Sequence, residues 1–286
     1  MKVLVFGSKG QVGLEIGRRM PRQFGAILLD RDDVDLLDLR AVSNAIQVHR
    51  PDVVINVAAF TDVDLAEAHE GDANLINGHA PEAMAMTCAE LGIPFLHVST
   101  DYVFDGSGSA AHKPDAVPAP VNAYGRSKLL GETRIELAGA NSLILRTSWV
   151  FSAHRKNFLK TMLRLGRERQ SLDVVADQFG GPTPASAIAD ALLKSAADMH
   201  AGMLGGIYHF SGAPDVSWSE FARFIMATAN LPCEIKDIQT SEYPTPARRP
   251  LNSRLDCSTF TRDFQIPRPD WRNAVRDIIQ DLGESS

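Results

Sequence analysis

The sequence predicts an α/β chain: a doubly wound parallel sheet, with a smaller mixed substrate-binding domain after it. Three observations carry this. Continuous apolar runs alternate with helical patterns through the first half, as in parallel strands covered on both faces. Glycines 7, 10 and 13 stand between the first apolar run and the helical pattern that follows. Beyond Trp149 the alternation loosens.

Taken in order, "KVLVFG" is a buried-type strand and a helix runs from Gln11 to Met20. "AILLD" is the second strand, "AVSNAIQVH" the next helix and "DVVINVAA" the third strand. "APEAMAMTCAELG" is helical, "PFLHVS" is the fourth strand, "YGRSKLLGETRIEL" the next helix and "SLILRTS" the fifth strand. Right-handed crossovers between such strands give the doubly wound arrangement. In the second half "NFLKTMLRLGRER" is helical, "LDVVAD" reads as a sixth strand, and "PASAIADALLKSAADM" is helical again. "GIYHFSG" is a further strand, and "SWSEFARFIMATAN" is a helix capped by Ser217 or Ser219. The tail holds "YPTPARRPLNSRLD" and the amphipathic "DWRNAVRDIIQDL". We divide the chain into a dinucleotide-binding domain, 1–150, and a mainly substrate-binding domain, 151–286, with some segments returning to the sheet. There is no internal repeat.

The chain has 286 residues, 44% hydrophobic and 22% charged, with a net charge of −6. It is long enough to bury a sizeable core. No Lys/Arg cluster follows a phosphate backbone, so nucleic acid is not an expected partner. "DVVINVAAF" is too short to span a bilayer, and "MKVLVFGSKG" lacks the longer apolar core of a signal peptide. No membrane association is expected. Three scattered cysteines, Cys88, Cys233 and Cys257, read as reduced thiols of a cytoplasmic protein. The histidines show no metal spacing, and His97 and His209 lie in apolar strands as core residues.

"FGSKGQVG" places Gly7, Gly10 and Gly13 where a tight turn meets a helix N-terminus. Bare backbone N–H groups there suit a pyrophosphate. Asp30, at the end of the second strand, lies where an acid accepts from an adenosine 2′-OH and favours NAD. Arg31 beside it suits a 2′-phosphate instead, so NADH and NADPH both stay open.

Three other strand ends carry polar residues: "NVAAFTDVD", "VSTDYVFDG" and "RTSWVF". Ligands of doubly wound sheets bind beyond the carboxyl ends of the strands. Thr61, Ser99, Thr100, Asp101 and Trp149 should therefore gather in one crevice with Tyr124. The Y-x-x-x-K spacing of "YGRSK" puts Tyr124 and Lys128 on one helix face. Free tyrosine titrates at about 10, and an adjacent ammonium should lower that value. A fall of three units corresponds to roughly 4 kcal/mol and makes the phenol an effective proton donor near neutral pH. Thr100 can share the charge that develops on a carbonyl oxygen.

"FGSKGQVG", "NVAAFTDVDLAE", "STDYVFDG", "YGRSKLLGE", "RTSWVF", "NFLKTMLRL", "DQFGGPTPA" and "YPTPARRPLNSRLD" together resemble the extended short-chain dehydrogenase/reductases. Within them the whole chain is similar to the dTDP-4-dehydrorhamnose reductases. The resemblance implies a Rossmann fold and NADPH or NADH lying over Gly10, Gln11, Val12, Asp30, Asp38, Leu39, Ala59, Phe60 and Thr61, beside the Gly7 and Arg31 of the glycine loop and strand end. It implies Tyr124 as proton donor, Lys128 on the nicotinamide ribose, and Thr100, Asp101 and Trp149 at the sugar. The implied reaction reduces C4 of dTDP-4-dehydro-L-rhamnose to give dTDP-L-rhamnose for cell-surface polysaccharide. In "ARRP", Arg248 and Arg249 sit between prolines, and at least one is expected on the substrate diphosphate. Some relatives bridge subunits through Mg²⁺ held by glutamates. Here Glu15 matches the first, but Ser186 and Asp281 stand at the other two positions, so no metal is expected and a homodimer stays open. An epimerase or dehydratase of nucleotide sugars, or a catalytically silent regulatory subunit, are the competing readings.

Overall fold

The computed structural model describes residues 1–283. The strands are β1 (Lys2–Phe6), β2 (Gly25–Leu29), β3 (Val53–Asn56), β4 (Phe95–Thr100), β5 (Ser142–Thr147), β6 (Val150–Phe151), β7 (Ser171–Val175), β8 (Phe179–Gly180), β9 (Thr183–Pro184), β10 (Gly206–His209), β11 (Val216–Ser217), β12 (Glu234–Ile238) and β13 (Asn252–Ser253). The helices are α1 (Gln11–Arg19), α2 (Leu39–His49), α3 (Val63–Ala68), α4 (Glu70–Asn74), α5 (Ala80–Leu91), α6 (Ala123–Leu137), α7 (Phe158–Glu168), α8 (Ala185–His200), α9 (Trp218–Thr228), α10 (Ser258–Phe264) and α11 (Trp271–Asp281). Between α4 and α5 the helix widens over Leu75–His79. A single 3₁₀ turn, Asp101–Val103, follows β4.

The main sheet has the order β10-β5-β4-β3-β1-β2, and all its neighbours run parallel. Its central strands are buried on both faces: β3 entirely, and β1 from Val3 to Phe6. That is why they read as unbroken apolar runs rather than alternations. One face packs a core on α1, α8 and α10, with Ile16, Leu192 and Phe260 buried in it. The other packs on α2, α5 and α6 through Ile46, Met84 and Ile135. Because β1 is flanked by β2 on one side and β3 on the other, the winding reverses beside it. A crevice opens at the carboxyl ends there.

Two details differ from expectation. "LDVVAD" forms β7, but β7 pairs with β12 in a separate two-stranded parallel sheet. Its burial alternates: Leu172 and Val174 face the core of α7, α9 and α11, while Asp173 is exposed. A strand covered on one face does not belong inside a doubly covered sheet. The sixth strand of the main sheet is "GIYH", β10, so the chain crosses back after residue 151. Of the two candidate caps of α9, Ser217 is the one: its side chain accepts from Glu220 N–H while Glu220 accepts from Ser217 N–H. His97 and His209 are both 0% exposed, and the three cysteines are free and buried. Among the described residues no helix is long and apolar enough to cross a membrane.

Candidate active site

The glycine loop is built for close approach. Gly7 has φ +91°, and a Cβ there would lie 2.6 Å from Ala58 N. A Cβ at Gly13 would run into the Gly7 carbonyl oxygen. Gly10 caps α1 without any side-chain hydrogen bond, so the helix N-terminus presents backbone alone. The Gly7 and Ser8 amides donate to Leu29 O at 2.9 and 3.0 Å, which draws the end of β2 against the loop. Val12 lies inward at 9% exposure, and Gln11 Oε1 accepts from Ser152 Oγ and Asn157 Nδ2. A backbone cradle at a helix N-terminus with an acid alongside fits a dinucleotide.

That acid, Asp30, is not free. Lys9 Nζ lies 2.6 Å from it and 2.7 Å from Asp32, and the Asp32 amide donates to Asp30 at 2.7 Å. The hydrogen bond from Lys9 holds the Asp30 carboxyl below the usual range. Lys9 was missed in the sequence because nothing local announces a contact across 23 residues. Arg31 is exposed beside it. Asp38 is the N-cap of α2, accepting from Arg40 and Ala41 N–H, with Leu39 half-buried as the first helical residue. Its carboxylate therefore already serves the backbone.

At the end of β3, Ala59 and Phe60 are half-buried and Thr61 is exposed. Asn77, from the widened turn, clamps Phe60: Oδ1 accepts from its N–H at 2.8 Å and Nδ2 donates to its carbonyl at 3.0 Å. Asn77 also donates to Ser127 Oγ at 2.9 Å, tying this loop to α6. A widened turn is a recurrent mark of functional sites, but it shows only in the structure.

Helix α6 begins where Asn122 accepts from Gly125 N–H at 2.8 Å. Gly125 has no room for a Cβ, which would strike the Tyr102 carbonyl, so α6 packs hard against the 3₁₀ turn. This sets the Tyr124 ring edge-on to Tyr102 at 5.6 Å and leaves Thr100 close enough to oppose the rise in the Tyr124 pKa. Thr100 Oγ1 in turn contacts Asp101 Oδ1 at 3.2 Å. Asp101 is 2% exposed, and its Oδ2 has no hydrogen-bond partner among the described residues. Burial pushes its carboxyl up to about 7, against hydrogen bonds from Ser253 and Thr100. Ser99 is turned away, donating to Glu132 Oε1 at 2.5 Å.

The expected lowering of Tyr124 by Lys128 is corrected here. Burial pushes Tyr124 up to about 12, with Thr100 opposing and Asp101 adding to the rise. Lys128 shares the helix face but dips inward, 1% exposed, donating to Val98 O at 2.8 Å with Nζ 3.0 Å from His97 Nε2. Burial draws Lys128 down to about 8, with Glu132 opposing. The spacing fixed the face but not the depth.

The "ARRP" pair divides. Arg248 is exposed, and its carbonyl accepts from Asn122 Nδ2 at 2.8 Å. Arg249 turns inward, donates to Asp64 Oδ2 at 2.7 Å and acts on the Tyr102 phenol. Arg249 Nη1 is buried with no partner among the described residues. Trp149 adopts φ +48° and stacks on Trp218 at 3.6 Å and 10°. Phe158 lies against Trp218 at 4.4 Å. Trp218 and Phe158 were missed because they read as ordinary helix-core aromatics. Glu15 is 7% exposed and held by Arg19 Nε at 3.2 Å and His154 Nε2 at 3.0 Å. Ser186 lies in the first turn of α8 and Asp281 ends α11. Among the described residues no three His, Cys, Asp or Glu side chains cluster as metal ligands.

A sequence profile described as the RmlD substrate binding domain matches residues 1–284. The chain is 43% identical to a dTDP-4-dehydrorhamnose reductase of Burkholderia thailandensis, over 99% of each chain. It is 37% identical to the reductase of that name from Escherichia coli, over 99% of this chain and 98% of the other. Among solved structures it is similar to a dTDP-4-dehydrorhamnose reductase of Clostridium acetobutylicum, with a TM-score of 0.94, 32% identity and coverage of 99% and 100%. A Bacillus anthracis dTDP-4-dehydrorhamnose reductase in complex with NADP gives a TM-score of 0.91 at 31% identity, covering 98% of this chain and 99% of that one.

Proposed function

The chain belongs to the RmlD substrate binding domain family, and from that premise we propose that it reduces the C4 ketone of dTDP-4-dehydro-L-rhamnose to dTDP-L-rhamnose with NADPH or NADH. The observation that carries this reading is Tyr124 lying beside Thr100 and edge-on to Tyr102 at the end of β4, in a chain whose bare-backbone helix N-terminus suits a dinucleotide. We assign residues 1–150 to the dinucleotide and most of 151–286 to the nucleotide sugar.

In this reading the bound nicotinamide supplies the hydride. Gly7, Gly10, Gln11 and Val12 receive the pyrophosphate, and Asp30, with Arg31 nearby, meets the adenosine ribose. Asp38, Leu39, Ala59, Phe60 and Thr61 line the rest of that cleft, with Phe60 held by Asn77. Tyr124 gives its phenolic proton to the forming C4 alkoxide, and Thr100 donates a hydrogen bond to the same oxygen. Lys128, as ammonium, holds the nicotinamide ribose. Asp101 and Trp149 orient the sugar, and Arg249, whose Nη1 has no hydrogen-bond partner among the described residues, takes the diphosphate. Tyr102 follows Asp101 where a dehydratase would carry a second acid.

The test is stoichiometry with dTDP-4-dehydro-L-rhamnose. A reductase consumes one reduced cofactor per sugar formed. Product without cofactor loss would make the chain an epimerase. No product from folded, cofactor-binding protein would leave the regulatory-subunit reading.

Two expected outcomes follow from the geometry. Asp30→Ala weakens NADH more than NADPH, with a shift in preference of roughly tenfold, the worth of one lost charge-assisted hydrogen bond. Removing the carboxylate also frees Lys9, now shared between Asp30 and Asp32, for a 2′-phosphate. Equal weakening of both cofactors in a fluorescence titration would remove Asp30 from the ribose. Arg249→Ala raises KM for the nucleotide sugar roughly tenfold to a hundredfold, the range for a hydrogen bond to a charged group, and spares cofactor affinity. Arg248→Ala, on an exposed side chain, changes KM little. An unchanged KM in Arg249→Ala would return the segment to a surface role.

A further inference from the structure

Behind Lys128 lies a buried polar chain that the proposed chemistry does not use. Asn56, His97 and Lys128 are 0%, 0% and 1% exposed. The Ala58 amide meets Asn56 Oδ1 at 3.0 Å, Asn56 Nδ2 meets His97 Nδ1 at 3.0 Å, and His97 Nε2 meets Lys128 Nζ at 3.0 Å.

The proton positions along this chain follow from its fixed end. A backbone N–H can only donate, so the Asn56 atom facing Ala58 is the oxygen. The other end of the amide is then NH₂, which donates to His97 Nδ1. An Nδ1 that accepts carries no proton, so a neutral His97 must be protonated on Nε2. Burial holds His97 neutral, well below its ordinary range. An Nε2–H pointing at Nζ needs a lone pair there, and only the free amine has one. The amine still donates to Val98 O. Reversing the Asn56 amide to suit an ammonium would set its NH₂ against the Ala58 N–H, leaving buried donors unpaired at about 1–3 kcal/mol each.

Resting on the assignment of Lys128 to the nicotinamide ribose, we propose that His97, oriented by Asn56, is a positioning residue that holds Lys128 as the uncharged amine in the cofactor-free chain, so that cofactor binding moves Nζ onto the ribose hydroxyls and loads a proton onto it. The proton comes from solvent or buffer, and the N–H bond it forms is the one chemical change in the step. The charged groups on the elements around Lys128 are otherwise engaged. Glu132, which favours the ammonium, is taken by Arg146 and Ser99. Glu67 accepts from Ala123 N–H, Glu70 pairs with Arg126, and Glu82 pairs with Arg134. Asp101 contacts Thr100, and Tyr124 is a neutral phenol. His97 is therefore the neighbour left to decide the charge of Lys128.

The experiment has two readouts that do not depend on turnover. In ¹⁵N-histidine spectra of the cofactor-free protein at a pH above 8, where Lys128 is the free amine, His97 should show the neutral Nε2–H tautomer. An Nδ1–H tautomer or an imidazolium would overturn the proposal, and this needs no variant to fold. Calorimetry of NADPH binding in buffers of different ionisation heat, at a pH above 8, should give uptake approaching one proton per cofactor. In His97→Phe the amine loses its donor, Lys128 charges more readily, and the uptake should shrink or move to higher pH. In His97→Gln, which keeps a donor, it should return toward wild type. Binding without proton uptake would sink this inference while leaving the functional reading intact. No binding of either nicotinamide cofactor by wild-type protein would sink both.

Discussion

Tyr124→Phe lowers kcat by roughly 10²–10⁴-fold, the usual worth of a positioned proton donor, and leaves the cofactor Kd nearly unchanged. The phenyl ring keeps its edge contact with Tyr102 and its place in the first turn of α6, so the site is preserved except for one hydroxyl. What is lost is a proton transfer made in the transition state, which lowers kcat and kcat/KM together. Burial keeps the phenol protonated, at about 12 in the cofactor-free chain. Its proton is thus present at every working pH. With Lys128 charged in the loaded enzyme, as proposed above, that proton would be easier to give. Lys128→Met should therefore lower kcat and weaken the cofactor together. Single-turnover kinetics separates the two variants, and equal rates for Tyr124→Phe and wild type would remove the tyrosine from the chemistry.

The parts of this site that could be read in the sequence are those whose logic is local. A glycine loop between strand and helix, an acid at the next strand end and a tyrosine four residues from a lysine all lie within short segments of chain. The rest depends on residues that meet only after folding. Asp64 and Arg249 are 185 positions apart, and Asn77 reaches Phe60 across 17. The Trp149–Trp218 stack joins a strand end to a helix that the sequence marks only as amphipathic. The acidity of Tyr124 was misjudged for a related reason. Helical spacing says which residues share a face, but not that Lys128 passes under the helix to reach Val98 and His97. The same limit explains β7. Leu172 and Val174 announce a strand, while its exposed Asp173, the sign that one face is uncovered, does not say which strand it will pair with.

Arg146→Met destabilises the protein by about 3–5 kcal/mol, the usual cost of leaving one member of a buried ion pair without its partner. Arg146 and Glu132 side chains are each 2% exposed, with Nη2 2.6 Å from Oε2 and Nε 2.9 Å from Oε1. The guanidinium also donates to Pro114 O at 3.1 Å and lies 5.1 Å above the Phe104 ring. His209, held neutral at about 3 by burial and by Arg146, gives its Nδ1–H to His112 O and faces Arg146 with Nε2 at 3.4 Å. Methionine removes all of these donors and leaves the Glu132 carboxylate with Ser99 alone. For a chain of this size the loss corresponds to a fall in Tm of roughly 6–20 °C. The double change Glu132→Leu/Arg146→Met removes both charges, so it should recover much of the loss, because a buried pair is costly to break and not costly to replace. Activity need not follow stability. Glu132 lies one turn beyond Lys128 on α6, and the pair fixes that helix to β5 and, through Ser99, to β4. The double variant should therefore regain Tm more fully than it regains kcat. Recovery of both to the same degree would mean that the pair serves the fold alone and does not position the helix that carries Tyr124.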